Sequence, residues 1–341
     1  MAKPAVLMLN LGSPDSTAVP DVRKYLKEFL LDERVIDAPW LVRNLVVRGL
    51  ILPTRPKQSA EAYANVWTDE GSPLITTSQR QRDLVAAERD FPIELAMRYG
   101  TPDIPAAVRR LKVAGVTDLF IMPLYPHYAM SSYETVLVRV TEEIAAQDWT
   151  VKTTTLQPFY QDADYIEAMV ENARPHLEDD YDLLLFSYHG IPERHLRKSD
   201  PSHAHCLTMP DCCDTCNPAH ATCYKHQCKT TTKSFCQAAG IPEDKVFLSF
   251  QSRLGRDPWL TPYTDKKLET LPEEGVKRLR VICPSFVSDC LETLEEISME
   301  GKEEFLKYGG EDFFQVPCLN DHPAFIKMLN GRIDQWLATV G

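Results

Sequence analysis

Short apolar runs alternate along the chain with longer stretches in which apolar residues recur every three or four positions. The runs fall at 5–11, 93–98, 119–124, 151–156, 182–187, 245–250, 279–283 and 313–317. Most are near-continuous in Val, Ile, Leu and Phe, the pattern of strands buried on both faces. Between them, 20–31 places Val22, Leu26, Phe29 and Leu30 on one helical face, and 106–114 places Val108, Leu111 and Val113 before Gly115. The stretches 133–146 and 163–177 share that period. Strands alternating with helical crossovers predict parallel α/β sheets. Four strands fall in each half, and the halves resemble each other. Phe120-Ile121-Met122-Pro123 leads into a helix ending Glu142-Glu143-Ile144, as Val281-Ile282-Cys283-Pro284 leads into one ending Glu295-Glu296-Ile297. The expected fold is α/β with two similar doubly wound domains, each with a four-stranded parallel sheet, and a cleft between them. The domains are set at 1–155 and 156–317, with a C-terminal helix over 318–341 packing back on the first. Ligands in such sheets collect at the carboxyl ends of the strands.

Length agrees with two domains, since 341 residues is about twice a typical domain of roughly 150. The balance of 37 basic and 49 acidic residues, net −12, argues against a nucleic-acid partner, because phosphate binding needs clustered cations. The apolar stretch 5–11 is too short for a signal peptide, so a cytoplasmic location is expected. The segment 40–53 (WLVRNLVVRGLILP) has an amphipathic pattern that suits peripheral contact with a membrane, packing on the core being the competing reading. Oligomeric state leaves no signal.

Three groups of residues carry candidate chemistry. The run Leu183 to Pro192 mounts His189 at the end of a buried strand, just before Gly190 and Pro192, where a neutral imidazole can accept a proton or bind a metal. After the strand 279–283, Asp289, Glu292, Glu296 and Glu300 recur at intervals of three, four and four, which on one helix makes a carboxylate ladder for cations or protons; a solvated acidic face is the competing reading. Met97-Arg98-Tyr99-Gly100, Leu124-Tyr125-Pro126-His127-Tyr128 and the run Phe250 to Asp265, with Trp259, supply rings and guanidinium groups suited to a flat apolar ligand bearing carboxylates. Phosphate-cradling G-x-x-x-x-G-K-[ST] and G-x-G-x-x-G motifs are absent from the sequence, against nucleotide-dependent chemistry.

Seven of ten cysteines crowd into 31 residues: Cys206, Cys212, Cys213, Cys216, Cys223, Cys228 and Cys236. Pro201, Pro210 and Pro218 exclude a continuous helix there. In a reduced compartment such a loop reads as a metal site, zinc or an iron–sulfur cluster. Cys206, Cys213, Cys216 and Cys223 are the preferred four, with Cys212 the substitute. Cys228 and Cys236, on a stretch of helical character, read as packing residues, as do Cys283, Cys290 and Cys318.

Several long motifs in order resemble the ferrochelatase family over nearly the whole chain: Asn10-Leu11-Gly12-Ser13-Pro14, Met97-Arg98-Tyr99-Gly100, Ser187-Tyr188-His189-Gly190-Ile191-Pro192, Phe250 to Asp265, Ser288-Asp289-Cys290-Leu291-Glu292-Thr293-Leu294-Glu295-Glu296-Ile297 and Pro317-Cys318-Leu319-Asn320. The resemblance implies insertion of Fe²⁺ into protoporphyrin IX to give protohaem. It implies His189 as active-site histidine, Glu292 as catalytic glutamate, Asp289, Glu296 and Glu300 as an acidic path, and Arg98, Tyr99, Tyr125, Trp259 and Phe286 as pocket residues. Residues 202–223 look like an insertion, and the family's [2Fe-2S] members suggest an internal cluster there ahead of zinc. A cobalt chelatase of B12 synthesis and an iron–sulfur redox or sensor protein are the alternatives from the residues alone.

Overall fold

The computed structural model describes residues 2–255 and 257–340; Arg256, within the aromatic run Phe250 to Asp265, lies outside them, as do Met1 and Gly341. Eight strands form: β1 (Pro4–Asn10), β2 (Ile93–Met97), β3 (Asp118–Pro123), β4 (Lys152–Thr155), β5 (Leu183–His189), β6 (Val246–Gln251), β7 (Arg278–Ile282) and β8 (Asp312–Gln315). They make two four-stranded parallel sheets, ordered β2-β1-β3-β4 and β6-β5-β7-β8. The second sheet thus repeats the strand order of the first. The central strands are the continuous apolar runs: Ala5 to Leu9 and Leu184 to Phe186 are fully buried. The edge strand β4, Lys-Thr-Thr-Thr, is mostly exposed.

The chain divides into two compact units. One comprises Met1–Leu124, Met130–Gln157 and Ile326–Gly341, and the other Tyr125–Ala129 and Pro158–Phe325. In the first unit the C-terminal helix Pro323–Leu337 lays Trp336 flat on Phe120, ring centroids 5.2 Å apart, and Arg89 binds the Asn330 side chain and carbonyl.

The internal likeness of the halves has a structural counterpart. Each crossover after the third strand of its sheet contains a π-helical segment, Met130–Glu134 ahead of the helix Thr135–Ala146 and Glu296–Gly301 ahead of Lys302–Lys307. This corrects the expectation of one regular helix under the carboxylate ladder. Only Leu291–Leu294 is α-helical, and the wider turn that follows changes the phase of Glu296 and Glu300.

The segment 40–53 becomes the helix Trp40–Val46, a π-helical Val47–Ile51 and the start of the helix Leu52–Val66. Val47 and Leu52 pack with Leu30. Ile51 packs partly buried against the same cluster, whereas four large apolar residues face outward: Trp40 is 65% exposed, Leu41 74%, Leu45 72% and Leu50 66%.

Candidate active site

Parallel pairing brings the carboxyl ends of β5, β6 and β7 to one edge of the second sheet, and the site is built there. His189 closes β5 opposite Gln251, the last residue of β6. The next residue has to be glycine: a Cβ on Gly190 would stand 2.7 Å from the Gln251 carbonyl oxygen, which accepts the Gly190 N–H at 2.7 Å, and 3.3 Å from Trp259 Cε3. The His189 ring Nδ1 lies 2.6 Å from the Gly190 carbonyl oxygen. A carbonyl only accepts, so Nδ1 carries a hydrogen, and in the neutral ring it is Nε2 that holds the lone pair. Phe286 stands edge-on to this imidazole, centroids 6.1 Å apart. Trp259 is tied by Nε1–H to the Leu254 carbonyl at 2.9 Å.

The acidic segment lies against the same strand ends. Gln251 Nε2 donates to the Glu292 carbonyl at 2.7 Å and to Glu296 Oε2 at 3.2 Å, and the Gln251 amide oxygen accepts from Ser187 at 2.8 Å. Burial pushes the Glu296 carboxyl above its ordinary value against the opposing pull of Ser252 and of the His189 charge, with the Glu292 charge adding to the rise. Glu295, which the ladder spacing left out, is likewise raised by burial and by the charges of Glu300, Glu296 and Glu292. Four carboxylates therefore share one field, and ionising all of them costs energy that a cation would offset.

Asp289 departs from the expected ladder. It precedes the helical turn, and its carboxylate accepts from Asn320 Nδ2 at 2.7 Å, from Thr293 Oγ1 at 2.9 Å and from the Cys318 N–H at 3.3 Å. Those bonds make it a brace for the turn rather than a rung. Arg98 and Tyr99 belong to the first unit, where both are spent on Asp32: Tyr99 is fully buried with its hydroxyl 2.9 Å from Oδ2, and Arg98 pairs with the same oxygen. The structure thus corrects the assignment of Tyr99 to a ligand-facing surface. Tyr125 is buried as well.

The cysteine loop leaves the helix Glu193–Ser199 and returns at the helix Tyr224–Ala239. Asp200 gathers its root, accepting from the N–H groups of Ser202, His205 and Cys206, each at 2.8 Å, and from the Ser202 hydroxyl at 2.7 Å. Three histidines hold the far side: His205 and His220 bond the Cys212 carbonyl at 2.7 and 3.1 Å, and His226 bonds the Cys213 carbonyl at 2.8 Å. Cys206, Cys212, Cys213 and Cys223 are buried and Cys216 is exposed. Cys223 and burial raise the Cys213 thiol, and burial raises the Cys206 thiol against the opposing pull of Cys223. Among the described residues, no group of three or more His, Cys, Asp or Glu side chains is placed to hold a metal ion. Cys228 and Cys236 lie buried along Tyr224–Ala239.

Sequence reasoning missed Gln251, Ser252 and Glu295. All three stand inside the runs that carry the candidate chemistry, and the signal that could have found the first two is polarity at the end of a predicted buried strand.

Comparison with known proteins bears on the whole chain. The family model described as Ferrochelatase matches residues 3–337. A ferrochelatase of Opitutus terrae is 54% identical over 340 residues, 99% of both chains, and one of Pseudomonas entomophila is 50% identical over 98% of this chain and 99% of its own. Among solved structures, SirB from Bacillus subtilis with Fe³⁺ superposes with a TM-score of 0.54 at 12% identity, covering 98% of this chain and 95% of that one, a likeness of fold.

Proposed function

The chain belongs to the ferrochelatase family, whose reaction inserts Fe²⁺ into protoporphyrin IX to give protohaem, and we propose that His189 and the Glu292–Glu300 carboxylates carry this lyase chemistry. Insertion requires loss of two pyrrole protons and delivery of a dehydrated cation. With Nδ1–H committed to Gly190, His189 presents Nε2 as the proton acceptor. Glu292 and the carboxylates of Glu295, Glu296 and Glu300 supply the negative field that draws Fe²⁺ in and takes protons away. The observation that carries the assignment is the Nδ1 bond to Gly190, because it fixes which ring nitrogen is basic. Phe286, edge-on to the imidazole, and Trp259, against Gly190, offer surfaces for a flat ring. The cobalt-chelatase alternative is not favoured, since half-identity over the full length runs to ferrochelatases while SirB shares fold alone.

The test is anaerobic Fe²⁺ insertion followed by absorbance. His189→Ala and Glu292→Gln should each lose about two orders of magnitude or more in kcat, and wild-type turnover in either variant overturns the role of that residue.

Two finer readings accompany this. The concentration of soft thiols in one loop, with the Cys212 and Cys213 carbonyls already bonded by histidines, supports an iron–sulfur centre ahead of free cysteines. Cys206, Cys213 and Cys223, with Cys216 or Cys212 as fourth, would hold a [2Fe-2S] cluster, which when bound supplies one-electron redox chemistry. The outward apolar face at Trp40, Leu41, Leu45 and Leu50 suits peripheral contact with a bilayer; no described helix is long and apolar enough to cross one.

A further inference from the structure

The backbone of His189 is held by a closed ring of hydrogen bonds that its strand does not provide. In a parallel ladder the N–H and C=O of one residue point to the same side, and alternate residues point to opposite sides. Gly190 donates to Gln251 on the β6 side, so the N–H and C=O of His189 point toward β7. There the ladder has already ended, because the last β5–β7 partners are Phe186 and Ile282. Two side chains replace the missing strand. The His189 N–H donates to Ser285 Oγ at 3.3 Å, and the Tyr224 hydroxyl lies 2.9 Å from the His189 carbonyl oxygen and 2.7 Å from Ser285 Oγ. A carbonyl only accepts, so the tyrosine donates to His189 and the serine donates to the tyrosine. Each hydrogen is used once, and the ring closes. Tyr224 is 4% exposed and burial holds its hydroxyl protonated.

Tyr224 is also the first residue of the helix that ends the cysteine loop, and Cys223 is its N-cap. Thr222 is pinned by its hydroxyl to the Ser199 carbonyl at the loop's other end. One peptide bond therefore separates a thiol of the loop from the phenol that seats the histidine.

We infer that Tyr224 is a positioning residue for His189. This rests on the role proposed for His189. While the phenol stays under the His189 carbonyl the backbone of that residue is fixed; when its hydroxyl is removed, the ring of hydrogen bonds opens and the imidazole loses its aim.

The experiment uses full-length protein purified without oxygen. Tyr224→Phe removes one hydroxyl and keeps the ring. It should leave iron and acid-labile sulfide content, the visible spectrum and KM for protoporphyrin unchanged, while lowering kcat about tenfold to a hundredfold, the size of effect that a small misplacement of a catalytic group produces, and displacing the acid limb of its pH profile. Wild-type kcat, or a change confined to KM, overturns the inference. Should that variant fail to fold, Ser285→Ala opens the same ring from the other side and should lower kcat alike; normal turnover there overturns it equally. His189→Ala separates the levels: if it stays active the role of His189 itself fails, and if it is inactive while Tyr224→Phe turns over normally, only the positioning role of Tyr224 fails.

Discussion

Ser252 and Glu296 meet twice, through the Ser252 N–H to Oε1 at 2.7 Å and through the Ser252 hydroxyl to Oε2. To do so Ser252 adopts a left-handed backbone, φ 60°, a conformation costly for a residue other than glycine. With Gln251 as a third donor, the site spends local strain and hydrogen bonds to keep a carboxylate half-buried beside His189.

That carboxylate should be retained at the expense of stability. Burial raises the Glu296 carboxyl above its ordinary 4.5, so the folded chain binds this proton more tightly than the unfolded chain. The stability it confers is fully present below 4.5 and is lost as pH rises through the raised value. At pH 7 Glu296→Gln should therefore melt no lower than wild type, while Fe²⁺ insertion falls about tenfold or more. A variant that melts lower and turns over normally contradicts this; thermal scans at pH 5 and 7 with the absorbance assay decide it.

The cysteine loop should depend on Asp200 from the opposite direction. Its burial works against the charge, but donors from Ser202, Cys206 and His205 outweigh it and hold the carboxyl below the usual range. The stability it adds is present above 3.8 and is lost as pH falls below that value. Asp200→Ala leaves backbone N–H groups without an acceptor and should cost roughly 1–3 kcal/mol at pH 7, with a difference from wild type that narrows in acid. Iron and sulfide content should fall with it, and fall completely in Cys213→Ser, while Cys236→Ser, on the packing face of the following helix, keeps its chromophore. Full metal content in Cys213→Ser would exclude that thiol as a ligand.

The outward face of 40–50 should act at a surface. Leu41→Glu with Leu45→Glu should reduce co-sedimentation with anionic vesicles several-fold and leave insertion into detergent-dispersed porphyrin unaltered, because both residues are exposed and carry no core packing. Equal co-sedimentation of the variant and wild type would leave the patch without a membrane role.

The sheets were legible because their central strands, Ala5 to Leu9 and Leu183 to Tyr188, are buried on both faces and so cannot alternate. His189 was legible from its place after such a strand and before glycine. The carboxylate ladder was legible as a set of charges but not as a geometry: spacing presumes one helical period, and the π-turn at Glu296–Gly301 and the brace at Asp289 changed which carboxylates share a field. Tyr99 looked like a ring for a ligand, yet a sequence does not say that Asp32, 67 residues away, takes its hydroxyl.

By itself the sequence determined the family, through long motifs in order that carry the resemblance, and also the two repeated parallel sheets and the concentration of thiols in one loop, because these last depend on composition, on continuous apolar runs and on the 3.6 period, all local to each segment. The tertiary structure alone decided which donors surround each charge. Ser252 reaches Glu296 across 44 residues, Tyr224 reaches His189 across 35, and Gly190 fits only because Gln251 closes over it. Hydrogen bonds between strand ends join residues that no local period relates, so the basic nitrogen of His189 and the raised carboxyl of Glu296 exist only once β5, β6 and the turn after β7 have come together.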